Sequence, residues 1–331
     1  MTATSPPTET LDEPNRTAGS NNRTYVAVDL GGTQLRVGLF DAQATLIARW
    51  AVPTPTTGTS DVVDEIAHQV RTALDRAAAP VHGVGISSLG PVDHATGYIH
   101  TAPTLPGFTA VPLTELLQAR LSIPVSVIND ANAAALAEWR LGAGQGTEHF
   151  CFVTVSTGIG CGLVINGRPL IGRNGTAGEL GRILIPGPDG TATRLEDLAS
   201  GSAIARAARD AVVTDSAPGL AELAGNQPLT ARVVADAAAH GEPTALAILT
   251  AAATVLGTAL ANLVRLISPD VIAIGGGVSQ SGLVYWTPLR HAFEDSVRLD
   301  FAHLPPLVPT RLADDAGLYG AALILFDERR P

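Results

Sequence analysis

Residues 25–40 read YVAVDLGGTQLRVGLF, a stretch with a glycine pair between two runs rich in apolar residues. The apolar run at 25–30 is typical of a buried strand, Gly31-Gly32 of a tight turn, and the alternating residues 35–40 of a second strand. Residues 45–51 continue the pattern as a third strand. We therefore predict that the ordered chain begins with an antiparallel meander.

Outward from this stretch, the chain alternates between strand and helix signals. Residues 61–79 have apolar side chains at helical spacing, and the short apolar runs 84–87 and 125–128 are typical of parallel strands covered on both faces. The further predicted elements are helices at 131–140, 195–212 and 246–267, and strands at 150–155, 162–165 and 271–274. The pattern predicts two α/β domains with a boundary near Asp130.

The predicted domains are an N-terminal one, 24–129 plus 313–331, and a C-terminal one, 130–312. Residues 1–23 are polar and rich in Thr, Pro, Asn and Ser, so we expect a disordered tail there. A 331-residue chain with 46% hydrophobic residues has ample material for two cores.

Composition argues against several classes of partner. The net charge of −10 would repel a phosphate backbone, so we expect no nucleic acid. The sequence has no clear membrane span or signal peptide, and polar residues within the Ala-rich stretch 245–265 favour a buried helix, so we expect a cytoplasmic protein with no membrane partner. Cys151 and Cys161 are interpreted as small buried hydrophobes. The chain contains no lysine, which excludes a Walker A loop.

Three glycine-rich turns are candidate phosphate-binding loops. In the first, Gly31 and Gly32 would let backbone N–H groups approach phosphate oxygens, Thr33 would donate a hydrogen bond, and Asp29 would hold Mg²⁺ through water. An ordinary tight turn is an equally good interpretation of this motif.

The second candidate loop is Thr157-Gly158-Ile159-Gly160, for which a plain glycine-rich hairpin is the alternative. The third is Gly275-Gly276-Gly277, which follows the predicted strand 271–274 and would open a helix facing the nucleotide. A simple strand–helix turn is the alternative for that run.

Asn129-Asp130 stands just past a predicted buried strand and at the start of a predicted helix. Asp130 suits a helix N-cap, and that role alone would account for it. A carboxylate at the carboxyl end of a parallel strand is also well placed to act as a general base for a substrate hydroxyl.

Taken together, the motifs resemble the ROK family of bacterial sugar kinases and repressors, in order from residue 24 to about 327. The matching segments are VDLGGT at 28–33, GPVD at 90–93, NDANAA at 129–134, 156–162, AGELG at 177–181, LE at 195–196, ASG at 199–201, GGGV at 275–278 and DDAGLYGAA at 314–322.

The resemblance implies a two-domain actin-like ATPase (ribonuclease H-like) fold with an interdomain cleft. It also implies ATP and Mg²⁺ as cofactors and transfer of the γ-phosphoryl group to a hexose, usually at the C6 hydroxyl. By position, Asp130 is the implied catalytic base. The implied substrate-binding residues are Gly90, Asn129, Glu179 and Glu196. The resemblance also implies a homodimer.

The chain departs from the family in the region where most members bind zinc. The family has a histidine at the position of Arg182, followed by three cysteines, whereas residues 183–195 contain neither residue type. Arginine is not a zinc ligand, so we predict no zinc site and expect 186–188, Pro-Gly-Pro, to help fix this loop. Arg182 is expected to pair with Glu196 or Asp197, or to bind a substrate substituent.

The substrate is therefore less firmly predicted than the reaction. Glucose phosphorylated at O6 is the first expectation, and an amino or N-acetylated hexose such as N-acetylglucosamine, N-acetylmannosamine or kanosamine is the alternative. Polyphosphate is an alternative donor. A catalytically silent sugar-sensing regulator is the alternative of another class, whereas a repressor would need a DNA-binding module ahead of Tyr25.

Overall fold

The computed structural model describes residues 23–187, 189–298 and 303–326. The predicted tail 1–23 lies outside this range except for Arg23. In chain order the strands are β1 (Thr24–Leu30), β2 (Gln34–Asp41), β3 (Leu46–Pro53), β4 (Val81–Ser88), β5 (Val92–Asp93), β6 (Tyr98–Thr101), β7 (Thr109–Pro112), β8 (Val125–Asn129), β9 (Phe150–Val155), β10 (Ile159–Ile165), β11 (Arg168–Pro169), β12 (Leu184–Pro186), β13 (Ala192–Arg194), β14 (Val271–Gly275) and β15 (Leu307–Pro309).

The helices follow the same numbering. They are α1 (Thr59–Arg76), α2 (Leu113–Leu121), α3 (Asp130–Leu141), α4 (Leu195–Ala199), α5 (Gly201–Val213), α6 (Pro218–Ala224), α7 (Ala231–Ala239), α8 (Pro243–Ile267), α9 (Leu283–Val297) and α10 (Ala316–Leu323). Short 3-10 helices occupy Leu180–Arg182, Gly277–Ser281 and Ala313–Asp315.

The described chain divides into two compact units. The first contains Ile171–Ala177 and the described residues of Met1–Ala137 and Asp315–Pro331, and the second contains those of Glu138–Leu170 and Gly178–Asp314. The division falls inside α3, after Ala137, rather than before Asp130. The predicted domain boundaries therefore stay predictions.

The first unit is built on a five-stranded sheet in the order β3-β2-β1-β4-β8. The predicted meander β1-β2-β3 is antiparallel, and β1, β4 and β8 run parallel. The core on one face of the sheet includes apolar residues of α1 and α2, and on the other face Ala27 and Phe40 pack with Leu318 and Ala321 of α10. The parallel strands end on one edge, where Asp29 of β1 pairs with Ser87 of β4, and Ser88 pairs with Asn129 of β8.

The second unit has a sheet in the order β11-β10-β9-β14-β15, which α8 and α9 cover. Residues at helical spacing along α8 fill the core, and Leu249, Leu256 and Leu260 are fully buried. By length and composition this helix could cross a membrane, and half of its most apolar stretch is buried in the core. That burial supports the prediction of a closely packed helix.

Two predicted elements differ from the structure. The single helix predicted at 195–212 is wrong, because Ser200 adopts an extended conformation and its hydroxyl accepts a hydrogen bond from the Ala203 N–H (3.2 Å), so that it ends α4 and caps α5. Strand β10 begins at Ile159 and not at Gly162. Gly160 therefore lies within the strand, opposite Thr154, and only Ser156–Gly158 forms the turn.

Candidate active site

The first candidate site residue, Asp29, lies near the end of β1 and is 9% exposed. Ser87 donates its hydroxyl to Oδ1 (2.9 Å), and Arg36 on the neighbouring strand donates Nη1 to Oδ2 (3.1 Å). Burial raises the pKa of Asp29, while the hydrogen bond from Ser87 and the charge of Arg36 act in the opposite direction. Asp29 is thus a buried carboxylate whose two oxygens are each oriented by a protein donor.

Asp29 could hold Mg²⁺ only as part of a mixed coordination sphere. Among the described residues, no three His, Cys, Asp or Glu side chains are grouped to hold a metal ion. Mg²⁺ commonly binds one or two carboxylates, several waters and substrate phosphates. Each Asp29 oxygen retains a lone pair beyond its protein donor, so the residue fits the predicted contact through water.

The turn 31–33 between β1 and β2 is held firmly. The Gly31 N–H donates to the Gln34 carbonyl (3.0 Å), and Thr54 donates its hydroxyl to the Gly31 carbonyl (2.8 Å). A Cβ on Gly31 would lie 2.8 Å from the Gln34 carbonyl oxygen, which makes glycine necessary there. Thr33 is exposed at the tip, as a phosphate-binding hydroxyl would need to be.

The junction of β8 and α3 brings three predicted residues together. The Asn129 Oδ1 accepts hydrogen bonds from the N–H groups of Ala131 (3.0 Å) and Asn132 (3.2 Å), so Asn129 is the helix cap. Its Nδ2 donates to the Gly90 carbonyl (3.0 Å) and to Asp130 Oδ1 (2.9 Å). The alternative role of Asp130 as N-cap is therefore wrong, because its neighbour fills that role.

Asp130 itself is half-buried at the first position of α3. Its Oδ1 accepts from the N–H of Ala131 (2.9 Å) as well as from Asn129. Two N–H donors on one oxygen fix the plane of the carboxylate at the strand edge. This is the arrangement expected of a base that must meet a substrate hydroxyl in one orientation.

In the second unit, the turn between β9 and β10 meets the start of α5. The N–H of Gly201 donates to the Ser156 carbonyl (2.7 Å), and the N–H of Ser202 donates to the Thr157 carbonyl (3.3 Å). A Cβ on Gly158 would lie 3.1 Å from Glu196 Oε2, so this predicted sugar ligand stands over the turn.

The run Gly275-Gly276-Gly277 ends β14 and leads into a five-residue 3-10 helix, followed by α9. Its last glycine, Gly277, lines a cavity of about 740 Å³ together with Ser156 and Thr157. Apolar side chains of α5, α7 and the 3-10 helix form part of its wall, namely Ala205, Ala235 and Val278. A cavity of this size and lining suits a cofactor.

Sequence reasoning missed the wall of this cavity. Arg209, Leu229 and Ala235 line it but belong to no motif, because they come together only when α5 packs beside α7. The helical periodicity of α7 was the available signal, and it indicates a helix without indicating its neighbour.

The predicted sugar ligand Glu179 precedes the 3-10 helix Leu180–Arg182. Its Oε2 lies 2.9 Å from Nε of Arg182. The expected pairing of Arg182 with Glu196 or Asp197 is therefore wrong, since Arg182 pairs with Glu179, the N-cap residue one turn before it.

The segment that follows is a two-stranded hairpin, β12-β13. The Gly187 N–H donates to the Thr191 carbonyl (2.7 Å), and Asp189 Oδ1 accepts from the N–H of Thr191 (3.0 Å). Leu195 N–H donates to the Ile183 carbonyl (3.0 Å), which closes the base of the hairpin. Hydrogen bonds and a strand ladder thus hold these described residues, while Pro188, part of the predicted rigid run, lies outside them.

Comparison with known proteins adds independent evidence. The model of the ROK family matches residues 25–328. The chain is 35% identical to a glucokinase of Thermotoga maritima over 91% of this chain and 96% of that protein. It is 30% identical to an N-acetylmannosamine kinase of Salmonella paratyphi A, over 91% of this chain and 98% of that one.

A solved structure agrees with these relatives. The crystal structure of a ROK family glucokinase from Streptomyces griseus, in complex with glucose and AMPPNP, superposes with a TM-score of 0.77 and 32% identity. The match covers 91% of this chain and 98% of the other.

Proposed function

The chain belongs to the ROK family and is a sugar kinase with the actin-like ATPase fold of that family, and we propose that it transfers the γ-phosphoryl group of ATP to the O6 hydroxyl of glucose. The observation that carries the proposal is the β8–α3 junction, where Asn129 and the Ala131 N–H orient the Asp130 carboxylate. Glucokinases among its relatives support glucose as the acceptor.

In this proposal Asp130 accepts the proton of the sugar hydroxyl as that oxygen attacks the γ-phosphorus, the bond from the γ-phosphorus to the β-phosphate oxygen breaks and ADP leaves. Phosphoryl transfer depends mainly on positioning and on neutralising charge, and a fixed carboxylate supplies the positioning of the attacking hydroxyl. Asn129 contributes by holding Asp130, because its amide donors go to Gly90 and to Asp130.

Glu179, Glu196 and Arg182 are the proposed sugar ligands of the second unit. Carboxylate oxygens accept hydrogen bonds from sugar hydroxyls, and a guanidinium donates to oxygen acceptors. The ion pair between Glu179 and Arg182 offers both kinds of group side by side.

The proposed nucleotide-binding residues are Asp29, Gly31, Gly32 and Thr33 in the first unit, and Thr157, Gly158, Gly160 and Gly275-Gly276-Gly277 in the second. The 740 Å³ cavity beside two of these loops supports ATP over polyphosphate, because a nucleoside needs an apolar pocket and a bare phosphate chain does not. Mg²⁺ bound with the nucleotide would neutralise phosphate charge, with Asp29 as its contact through water.

An N-acetylated hexose is the second candidate acceptor. The 30% identical N-acetylmannosamine kinase is the observation that favours it. We further propose a cytoplasmic location, as expected from the sequence, and a homodimer, as implied by the family.

The test is an assay of ADP release with MgATP and a panel of glucose, mannose, N-acetylglucosamine, N-acetylmannosamine and kanosamine. We expect glucose to give the highest kcat/KM, and MgATP to support faster turnover than Mg²⁺-polyphosphate. A higher kcat/KM for an N-acetylated sugar would replace glucose with the second candidate. Absence of turnover on every sugar by folded protein would contradict the proposed acceptors altogether.

A further inference from the structure

Arg182, which lies beside the proposed sugar ligand Glu179, carries a positive charge whose effect on substrate choice the proposed function leaves open. Arg182 and Glu179 form an ion pair with 2.9 Å between Nε and Oε2, and their side chains are 50% and 33% exposed. The pair is thus reachable from solvent, as sugar-binding groups must be.

The backbone beneath this pair is tightly held. A Cβ on Gly181 would lie 2.3 Å from the carbonyl oxygen of Ile159, so the 3-10 helix rests directly on β10. Leu180 is 5% exposed and belongs to the core of the second unit. The charged groups therefore project from a fixed base, and their positions depend on side-chain torsions alone.

The guanidinium retains donors for a ligand. Within the described residues, Nη1 and Nη2 of Arg182 make no hydrogen bond, and the ion pair with Glu179 runs through Nε. A guanidinium carries five N–H donors, accepts nothing and stays charged at any working pH. It can donate to a hydroxyl or to the carbonyl oxygen of an acyl group, but it repels a substituent that is itself a cation.

The neighbouring charges set the size of the effect. Helix α4, which packs against the 3-10 helix, carries Glu196 and Asp197, and the adjoining strand β13 carries Arg194. Glu179, Glu196, Asp197, Arg182 and Arg194 sum to one negative charge, and removing Arg182 would leave two. Arg182 thus weakens the attraction that these carboxylates would exert on an ammonium group.

From this geometry we infer that Arg182 is a specificity-determining residue that selects hexoses with uncharged substituents, hydroxyl or N-acyl, against hexoses with a protonated amine. The inference rests on the proposed function, because it takes Glu179 as a sugar ligand. It favours neutral hexoses over aminohexoses in their ammonium form.

The experiment measures kcat/KM for glucose, N-acetylglucosamine and glucosamine at a pH below the pKa of the sugar amine. In Arg182→Gln we expect the ratio of glucosamine to glucose to rise on the order of tenfold, from removal of a nearby cation. Arg182→Lys should keep the wild-type ratio, because it keeps the charge. Arg120→Gln, which breaks the Arg120–Asp64 ion pair of the first unit, is the matched control and should leave the ratio unchanged.

A second measurement repeats the comparison across pH. The difference in the glucosamine-to-glucose ratio between Arg182→Gln and the wild type should disappear as the pH passes upward through the pKa of the amine, because a neutral amine does not respond to the missing cation. A ratio that stays within about twofold of wild type in Arg182→Gln below that pKa, or a difference that persists above it, overturns the inference. Failure of the wild type to phosphorylate any sugar contradicts the proposed function instead, and removes the premise of this inference with it.

Discussion

The β8–α3 junction and the segment around Glu179 and Arg182 hold their functional groups in different ways. At the junction, Asn129 and Asp130 together accept hydrogen bonds from two backbone N–H groups, and Asn129 donates to the Gly90 carbonyl. Around Glu179, a half-exposed ion pair holds the charged side chains, and a short hairpin holds the segment that follows.

This difference indicates that the structure holds the groups proposed for the reaction more firmly than the groups proposed to bind the substrate. A general base must keep one orientation, so a backbone N–H group and a neighbouring amide hold its carboxylate. Few sequences allow that arrangement. A sugar ligand fixed by an exposed ion pair is worth little to stability, typically less than about 1 kcal/mol, so its partner can change without loss of the fold. The two regions therefore predict different sensitivity to the same kind of substitution.

The largest expected effect comes from adding one methyl group at matched glycines. Gly90 has φ +82° and a Cβ there would lie 2.0 Å from the Thr101 carbonyl oxygen, whereas Gly190 has φ +80° and open space around it. Gly90→Ala should lower the free energy of unfolding by about 3–5 kcal/mol, from backbone strain and a clash. Gly190→Ala, in the β12–β13 loop, should cost about 1–2 kcal/mol from strain alone.

Urea unfolding of both variants, followed by circular dichroism, measures the difference. Equal losses in the free energy of unfolding at the two glycines would contradict the comparison. They would show that the backbone around Gly90 accommodates a methyl group as easily as an open loop does.

A smaller effect on the free energy of unfolding tests how Asp29, the buried carboxylate of β1, is held. Ser87→Ala removes the donor to Asp29 Oδ1 and should lower the free energy of unfolding by about 2 kcal/mol at neutral pH. Because Ser87 stabilises the ionised carboxylate, the cost is present above the folded-state pKa of Asp29 and shrinks as the pH falls through it. Burial raises the pKa of Asp29. The destabilisation caused by Ser87→Ala therefore begins to shrink at a higher pH than it would beside an ordinary aspartate.

Ser88→Ala is the matched control, since Ser88 is equally buried but donates to the Leu89 carbonyl. Its cost should not vary with pH in the same range. A cost for Ser87→Ala that is constant with pH would contradict the assigned role of the hydrogen bond.

Much of the fold could be predicted from the sequence, because many strands and helices show a clear pattern in their own residues. The alternating residues of β2 and the short apolar runs of β1, β4 and β8 predicted these strands, and the structure confirms them together with β3. The break at Ser200 could not be read from periodicity, because α4 and α5 both continue an apolar pattern and only the Ser200 conformation separates them. Short elements such as β5, β6 and β7 give too few residues for a period to show.

The candidate site also contains features that the sequence predicts and features that it does not. Asp130 follows from its position at a strand end, but the finding that Asn129 and not Asp130 caps α3 depends on side-chain torsions. Similarly, the partner of Arg182 depends on a 3-10 helix that places Glu179 one turn away. Residues of the cavity wall, such as Arg209 and Ala235, meet only through helix packing, to which no local pattern refers.

The central claim is that Asp130 is the general base of phosphoryl transfer, and kinetics of Asp130→Asn with glucose and MgATP test it most directly. Asparagine keeps the size of the side chain and an oxygen acceptor but cannot take a proton. We predict that kcat falls by about 10²–10⁴-fold, while glucose binding measured by calorimetry stays within about twofold of wild type. A kcat within tenfold of wild type, in a variant that binds glucose normally, would contradict the account.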